Sequence, residues 1–427
     1  SVGVIHIDGN GVGAIMRDLG DAHRHAKEAG VCTTATEVNT TPGDDLQSFI
    51  MTVNKRLDDV VKDAIALSWY DVQKLTPDTV VPIVPVLVGG DDVTVYTDGR
   101  YAIPFAEAYI RHYEELTEKD ELLKQLAVVA GAKKAGPLTA SAGAAIVGRN
   151  FPFHIAYDLA EELVSRGKEL SKYPGTVPCS TINFHVLRDA TVLYPDDTLD
   201  EYKGRTQRPF LIGCYAPERI GDATTTSAEE TSTTEQQLLS SWARILQAVA
   251  AFDGKKPDDP TQTTGDPFPR ARANRIVKLL ADYIKVPKDD KAAQAACHGY
   301  VLKEDEKVSA TQEQIDKDRE EPNNDKRLTK RCEHPICKIR LEWTNALENA
   351  RGTKTLVKAL GPLPSKTRLD DPDEHTEDCI EQVRWLLDLI DLSGNLPDRY
   401  LASRISDDTD CVGSQEAADG STEGDAK

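Results

Sequence analysis

Two places in the sequence gather residue types suited to phosphate chemistry. The first is Asp8, which follows an apolar run at residues 2–7 and leads into Gly9-Asn10-Gly11-Val12-Gly13. A carboxylate at a strand end can hold a cation. The loop behind it, Gly9, Asn10 and Gly11, lets backbone N–H groups approach phosphate oxygens, and a helix start favours negative charge. The second place is Gly89-Gly90-Asp91-Asp92, between two strand-like runs. Adjacent carboxylates on a turn repel each other and are costly unless cations neutralise them. Gly89 and Gly90 remove side chains where a nucleotide would lie against the backbone. Hard oxygen donors such as Asp8, Asp91 and Asp92 suit Mg²⁺ or Mn²⁺. Two such ions can activate a 3′-hydroxyl and stabilise departing pyrophosphate in an in-line displacement. Asp and Gly are ordinary turn residues, so the argument rests on the two motifs acting together.

For these acids to meet, the intervening elements must return the chain to one end of a sheet. Residues 2–7 read as a strand, 11–29 as a helix and 32–45 as a Thr-rich loop. Residues 46–74 have helical periodicity, with Phe49, Val53, Leu57, Val60, Val61, Ala64 and Leu67 along one face. In the strand at 80–88, Pro82 and Pro85 cannot donate ladder hydrogen bonds, which assigns it to a sheet edge. Residues 93–96 return as the second arm of a hairpin with the acids at its tip. A helix is predicted over 104–128, a strand of small residues over 138–147, a helix over 153–170 and a strand over 180–186. The order is β-α-β-β-α-β with one more helix and strand, a ferredoxin-like α+β unit. In that topology the first strand lies beside the third, so Asp8 and Asp91 become neighbours. The second half reads as a Ser/Thr-rich linker (216–237), a helical domain with charged insertions (238–405) and an acidic tail (406–427). Its helices are predicted over 238–252, 270–284, 339–360 and 376–392.

A net charge of −20 argues against non-specific nucleic-acid binding by the whole surface and leaves room only for a local basic groove. The segment Lys326-Arg327-Leu328-Thr329-Lys330-Arg331 is flanked by acids and reads first as a solvated loop. Eight cysteines without disulfide-framework spacing fit a reduced, cytoplasmic protein. No apolar stretch approaches the ~18 residues of a membrane span. Cys332-x-His334-x-x-Cys337, with Cys297-His298 upstream, has the ligand types of a zinc site without the spacing of a finger, and reads as isolated residues.

The run Ile5-His6-Ile7-Asp8-Gly9-Asn10-Gly11-Val12-Gly13, then Gly89-Gly90-Asp91-Asp92, then Thr139-Ala140-Ser141-Ala142-Gly143-Ala144-Ala145-Ile146-Val147, resembles the second palm domain of the type III CRISPR large subunit, the Cas ten family. Ala160-Glu161-Glu162-Leu163 with Gly167-Lys168 is similar to that family's following helix. Asn183-Phe184-His185-Val186 and Arg208-Pro209-Phe210 resemble its next two elements. The likeness covers residues 1–215. It implies a palm that joins ATP, or another NTP, into cyclic or linear oligonucleotide messengers and releases pyrophosphate. By position, Asp8 and Asp91 are implied metal ligands, and Asp92 a further ligand or an orienting group. Lys168 would reach the triphosphate, and Ser141 and Gly143 would lie near the nucleotide. The family's nuclease and first palm domains have no counterpart in these residues, so the expectation is a stand-alone or truncated member. Its palm would be completed by a homodimer or by other CRISPR effector subunits. The alternative is a non-catalytic nucleotide- or partner-binding subunit, although three acids near one point favour an enzyme. A diguanylate-cyclase-like enzyme is disfavoured because Val93 and Thr94 follow the acid pair.

Overall fold

The apolar run after Ser1 forms β1 (Val2–Gly9), the central strand on which the N-terminal half is built. The computed structural model describes residues 1–32, 46–77, 80–132, 134–171, 179–188, 194–213, 242–255, 262, 267–285, 335–349 and 372–404. The single helix expected over 11–29 is two, α1 (Val12–Arg17) and α2 (Leu19–Glu28). Asp18 divides them, because its carboxylate accepts from the Asp21 N–H at 3.0 Å and caps α2. The long α3 (Leu46–Leu75) buries the predicted apolar stripe as far as Ala64. Leu67 then turns outward, and Ser68 and Val72 continue the buried face one helical turn at a time. Ser68 tolerates burial by donating to the Ala64 carbonyl at 2.6 Å.

The hairpin of β2 (Ile83–Gly89) and β3 (Asp92–Asp98) follows. The helix expected over 104–128 begins earlier, as α4 (Gly99–Lys119), with Asp98 accepting from the Arg100 N–H at its start. Pro104 therefore lies inside the helix. Asp120 ends α4 and caps α5 (Glu121–Leu126), accepting from the N–H groups of Leu122 and Leu123 at 3.0 Å each. The same carboxylate binds Arg56 of α3 at 3.0 Å, so a tertiary ion pair fixes the break. Then come β4 (Ala140–Val147), α6 (Phe153–Ser171), β5 (Ser180–Val186), α7 (Pro195–Glu201) and β6 (Phe210–Ile212). Neither α7 nor the three-residue β6 carries enough periodicity to be read from sequence.

The six strands take the order β2-β3-β1-β4-β5-β6. The first strand lies beside the third and the proline-bearing β2 is an edge, as expected of a ferredoxin-like α+β unit. All neighbours are antiparallel except β4 and β5. Helices cover both faces. A Cβ on Gly3 would fall 2.6 Å from Ala102 of α4, and a Cβ on Gly143 would fall 2.2 Å from the Ala160 carbonyl of α6, on the opposite face. Covered on both sides, β4 is buried along its whole length, which explains its run of small residues.

The described residues of 1–201, 208–245 and 395–404 belong to one compact unit, and those of 202–207 and 246–394 to a second. The second is mostly helical. It contains most of α8 (Trp242–Phe252), together with α9 (Arg270–Ile284), α10 (Pro335–Asn349) and α11 (Pro372–Ser393). Arg272 and Arg275 of α9 both reach Glu342 of α10, at 2.7 and 3.1 Å, and Phe268 packs between Phe252 and Trp343. The linker, the acidic tail, the basic segment 326–331 and the Cys/His set around Cys332 and Cys337 lie outside the described side chains.

The C-terminal residues return to the first unit. Trp242 Nε1 donates to the Tyr400 hydroxyl at 3.1 Å, and Arg404 Nε lies 3.0 Å from the buried Glu107 carboxylate of α4. Burial pushes the Glu107 pKa up, and the charges of Arg404 and Arg111 pull it back. Removing one partner of a buried pair strands the other charge. Arg404→Leu is therefore expected to destabilise the first unit by about 2–4 kcal/mol, and Glu107→Gln in the same chain to recover part of that, read by urea unfolding. A second node joins α3 to α4, where Asp71 binds Arg111 at 2.6 Å, His112 at 2.8 Å and Lys74 at 2.9 Å. Burial alone would raise the Asp71 pKa. The hydrogen bonds from His112, Lys74 and Arg111 outweigh it and hold the carboxyl well below its usual range. A depressed carboxylate stabilises the fold fully above the unfolded value of about 4 and loses that contribution as pH falls through the folded value. Asp71→Asn should cost about 1–3 kcal/mol at pH 7, and the gap to the parent should close in acid-unfolding series below pH 4.

Candidate active site

Strand alternation decides which way each acid faces. Val2, Val4, His6 and Asp8 of β1 point toward α6, and Gly3, Ile5 and Ile7 toward α4. On β3, His6 is paired with Thr94 in the register, so Asp92, Thr94 and Tyr96 share the α6 side with Asp8. Lys168 of α6 closes an ion pair onto the Asp8 carboxylate. Asp91 occupies the turn itself, where Gly90 adopts φ +62°, a left-handed conformation suited to glycine. From the turn Asp91 leans over the end of β1: a Cβ on Gly9 would meet the Asp91 Cβ at 3.0 Å and its carboxylate oxygen at 3.1 Å. Asp8, Asp91, Asp92 and Lys168 are thus brought together, with Gly9 as the gap that admits Asp91.

The electrostatics carry the mark of crowding. Burial first, and then the charge of Asp8, push the Asp91 carboxyl up to about 6. The same two causes raise Asp92. Among the described residues no three His, Cys, Asp or Glu side chains are drawn into a ready cation cage, and Lys168 supplies the positive charge on Asp8. The donor set nevertheless fits a hard divalent cation. Its oxygens converge at a strand end and repel one another, and bringing in positive charge would relieve both raised carboxyls.

The loop residues divide into two kinds. Gly11 has φ +77° and a Cβ there would strike the Ala130 carbonyl at 2.4 Å, so the loop is pressed against the segment after α5. Gly89 and Gly90 have open space where side chains would be. Asn10, expected at the nucleotide, is instead buried and spoken for. Its amide donates to Thr139 Oγ1 at 3.1 Å and to the Cys179 carbonyl at 3.4 Å, and its Oδ1 accepts from Ser141 Oγ at 2.9 Å. Ser141 is wholly buried and also accepts from Thr181 at 2.9 Å. Gly143 lies directly under α6. The small size of Ser141 and Gly143 serves helix packing, and neither has a face open to a ligand. The helix behind the loop, α1, has only six residues, so its dipole adds little to any anion site.

Several neighbours escaped the sequence reading. His6 Nδ1 lies 3.1 Å from Thr94 Oγ1, and its ring meets Tyr157 edge-on at 5.4 Å. Burial, against the opposing pull of Asp92 and Asp8, lowers its pKa. On the α4 side Tyr109 and Tyr113 stack at 5.9 Å, both buried, and burial together with the nearby acids raises their phenols. The alternation that puts His6 on the Asp8 face was readable in β1. The tyrosines needed the packing of α4 and α6.

Because Asn10 clamps the loop to β4 and to the start of β5, Asn10→Ala should act through stability. A loss of about 1–3 kcal/mol is expected in thermal or urea unfolding, from the orphaned Ser141 and Thr139 hydroxyls.

A family model described as Cas10/Cmr2, second palm domain, matches residues 1–173, somewhat under half of the chain. Curated proteins give no significant match. The matched span holds β1 through α6, and with them Asp8, the acid hairpin and Lys168. Strand order, hairpin position and family match agree in making residues 1–173 similar to the second palm domain of Cas10/Cmr2.

Proposed function

We propose that the first unit is a nucleotidyltransferase of the palm type that joins nucleoside triphosphates, ATP above all, into cyclic or linear oligonucleotide messengers within type III CRISPR defence. The observation that carries this reading is the convergence of Asp8, Asp91 and Asp92 beside Lys168 at one end of the sheet. A purely structural palm has no use for three carboxylates gathered at one point, two of them, Asp91 and Asp92, raised by burial and by the charge of Asp8.

Asp8, Asp91 and Asp92 would hold the divalent cations, which supply charge neutralisation at the triphosphate and activation of the attacking hydroxyl. In the reaction a 3′-oxygen bonds to the α-phosphorus of a second nucleotide. The bond from that phosphorus to the pyrophosphate oxygen breaks, and the hydroxyl proton leaves to water. Lys168 exchanges its Asp8 partner for phosphate oxygen when the nucleotide arrives. Gly89 and Gly90 leave the hairpin backbone bare to the substrate, and Gly9 keeps Asp91 within reach of Asp8. The family relation also supports partners drawn from an effector complex, or a second copy of the chain, to complete the site.

The chain incubated with each NTP and Mn²⁺ or Mg²⁺ is expected to convert ATP into a cyclic or 5′-triphosphate-bearing oligonucleotide, identified by mass spectrometry. Asp91→Ala with Asp92→Ala should lower the rate at least about a hundredfold, roughly 3 kcal/mol in the barrier, while circular dichroism stays unchanged. Product from the folded double variant would remove the acids from catalysis. Nucleotide binding without turnover, even with effector subunits added, would favour a binding subunit.

A further inference from the structure

The sheet is unevenly covered on the face that carries Asp8 and Asp92. Helix α6 packs over β1, β4 and β5, while beyond its edge Val84 of β2, the register partner of Tyr96, is 57% exposed. Along this border runs a chain of rings. Tyr96 lies 6.3 Å from Phe153, Phe153 stacks on Tyr157 at 6.4 Å and 29°, and Tyr157 meets His6 at 5.4 Å. Phe153 is 40% exposed, so part of an apolar side chain meets solvent. Tyr96 and Tyr157 are only partly buried and are braced from below by the core cluster of Val4, Ala156 and Leu159. The rings therefore rest on the core at Tyr96 and Tyr157 and reach solvent at Phe153.

Its distance from the acids is set by strand geometry. His6 is two residues from Asp8 and Tyr96 four from Asp92, so along the strands the rings begin about 7 Å and end about 14 Å from the carboxylates. On α6 itself Phe153, Tyr157 and Glu161 recur at four-residue intervals, and Lys168, two turns on, belongs to the same side. One helix face thus leads from flat apolar surface to the cation that holds Asp8. This end-to-end change of chemistry, aromatic at one end and cationic and metal-binding at the other, complements a molecule with a planar ring at one end and a polyphosphate at the other.

We propose that Tyr157 and Phe153, extended by Tyr96, form the platform on which the base of the substrate nucleotide stacks while its triphosphate reaches Asp8, Asp92 and Lys168. This rests on the nucleotidyltransferase reading and adds to it the place of the base. Stacking on rings alone tolerates any base, so the platform supplies affinity, and discrimination among bases must come from groups that reach the base edge. A second copy of the chain covering the same rings is the competing occupant.

Titration calorimetry of the full chain in Mn²⁺, with ATP and with inorganic tripolyphosphate as separate probes, divides the two ends of the site. Phe153→Ala and Tyr157→Ala are each expected to weaken ATP roughly tenfold and to leave tripolyphosphate unchanged, with Tyr157→Phe retaining ATP affinity. Tyr157 also braces His6, so the exposed Phe153 keeps the test valid if Tyr157→Ala unfolds. Unchanged ATP affinity in the alanine variants, or equal weakening of both probes, overturns the platform. Unchanged ATP affinity with loss of a dimer in sedimentation assigns the rings to an interface between copies instead. Failure of the parent chain to bind tripolyphosphate in Mn²⁺ overturns the metal–phosphate reading itself and the platform with it.

Discussion

Mutual repulsion among Asp8, Asp91 and Asp92 is the constraint to which the N-terminal unit answers. Three carboxylates gathered where the end of β1 meets the β2–β3 turn would drift apart if the backbone allowed it. The two outer ones are fixed by a hairpin whose turn needs a left-handed glycine, and the central one by a strand hydrogen-bonded on both sides. Lys168 offsets part of the charge from the helix above. Burial first, and then the charge of Asp8, still hold the Asp91 and Asp92 carboxyls above their usual range. A cation at the proposed metal site would neutralise the acids and release electrostatic cost already built into the fold.

Holding acids in place by backbone demands a stiff platform, and the packing supplies it. β4 is lined with Ala, Ser and Gly so that α4 and α6 can press on it from both faces. The Asn10 clamp transmits that stiffness to the loop behind Asp8 through four buried side-chain groups. The hydrogen bonds of Asn10 and Ser141 serve the scaffold, so these polar residues face the core.

Much of this was legible in the residues themselves. The proline-marked edge, the acid hairpin and the order of elements sufficed to bring Asp8 beside Asp91, because topology follows from strand count and connection lengths. The scaffold contacts of Asn10, Ser141 and Gly143 are hidden in the sequence for a common reason. Small and polar residues look alike in sequence whether they admit a ligand or a helix, and only the position of α6 tells the two apart. Helix ends are hidden in the sequence where Asp18 and Asp120 cap from within a continuous helical pattern, and at Pro104, whose helix starts five residues before it. The rings of Tyr96, Phe153 and Tyr157 are scattered over sixty residues and become a group only when β3 and α6 meet.

The pairing of Glu107 with Arg404 has a consequence for the order in which the molecule matures. A ribosome releases α4 long before it reaches residue 404, and at about 5–20 residues per second the gap of nearly three hundred residues lasts on the order of 15–60 s. Through that interval the nascent palm can lay down its strands and its acid hairpin, yet it carries a carboxylate without its guanidinium and lacks the Tyr400 hydroxyl that meets Trp242. The segment carrying Tyr400 and Arg404 thus acts as a closing latch, set only after residues 246–394 have been made. A chain stopped anywhere in that stretch would keep the palm strands but lack both contacts.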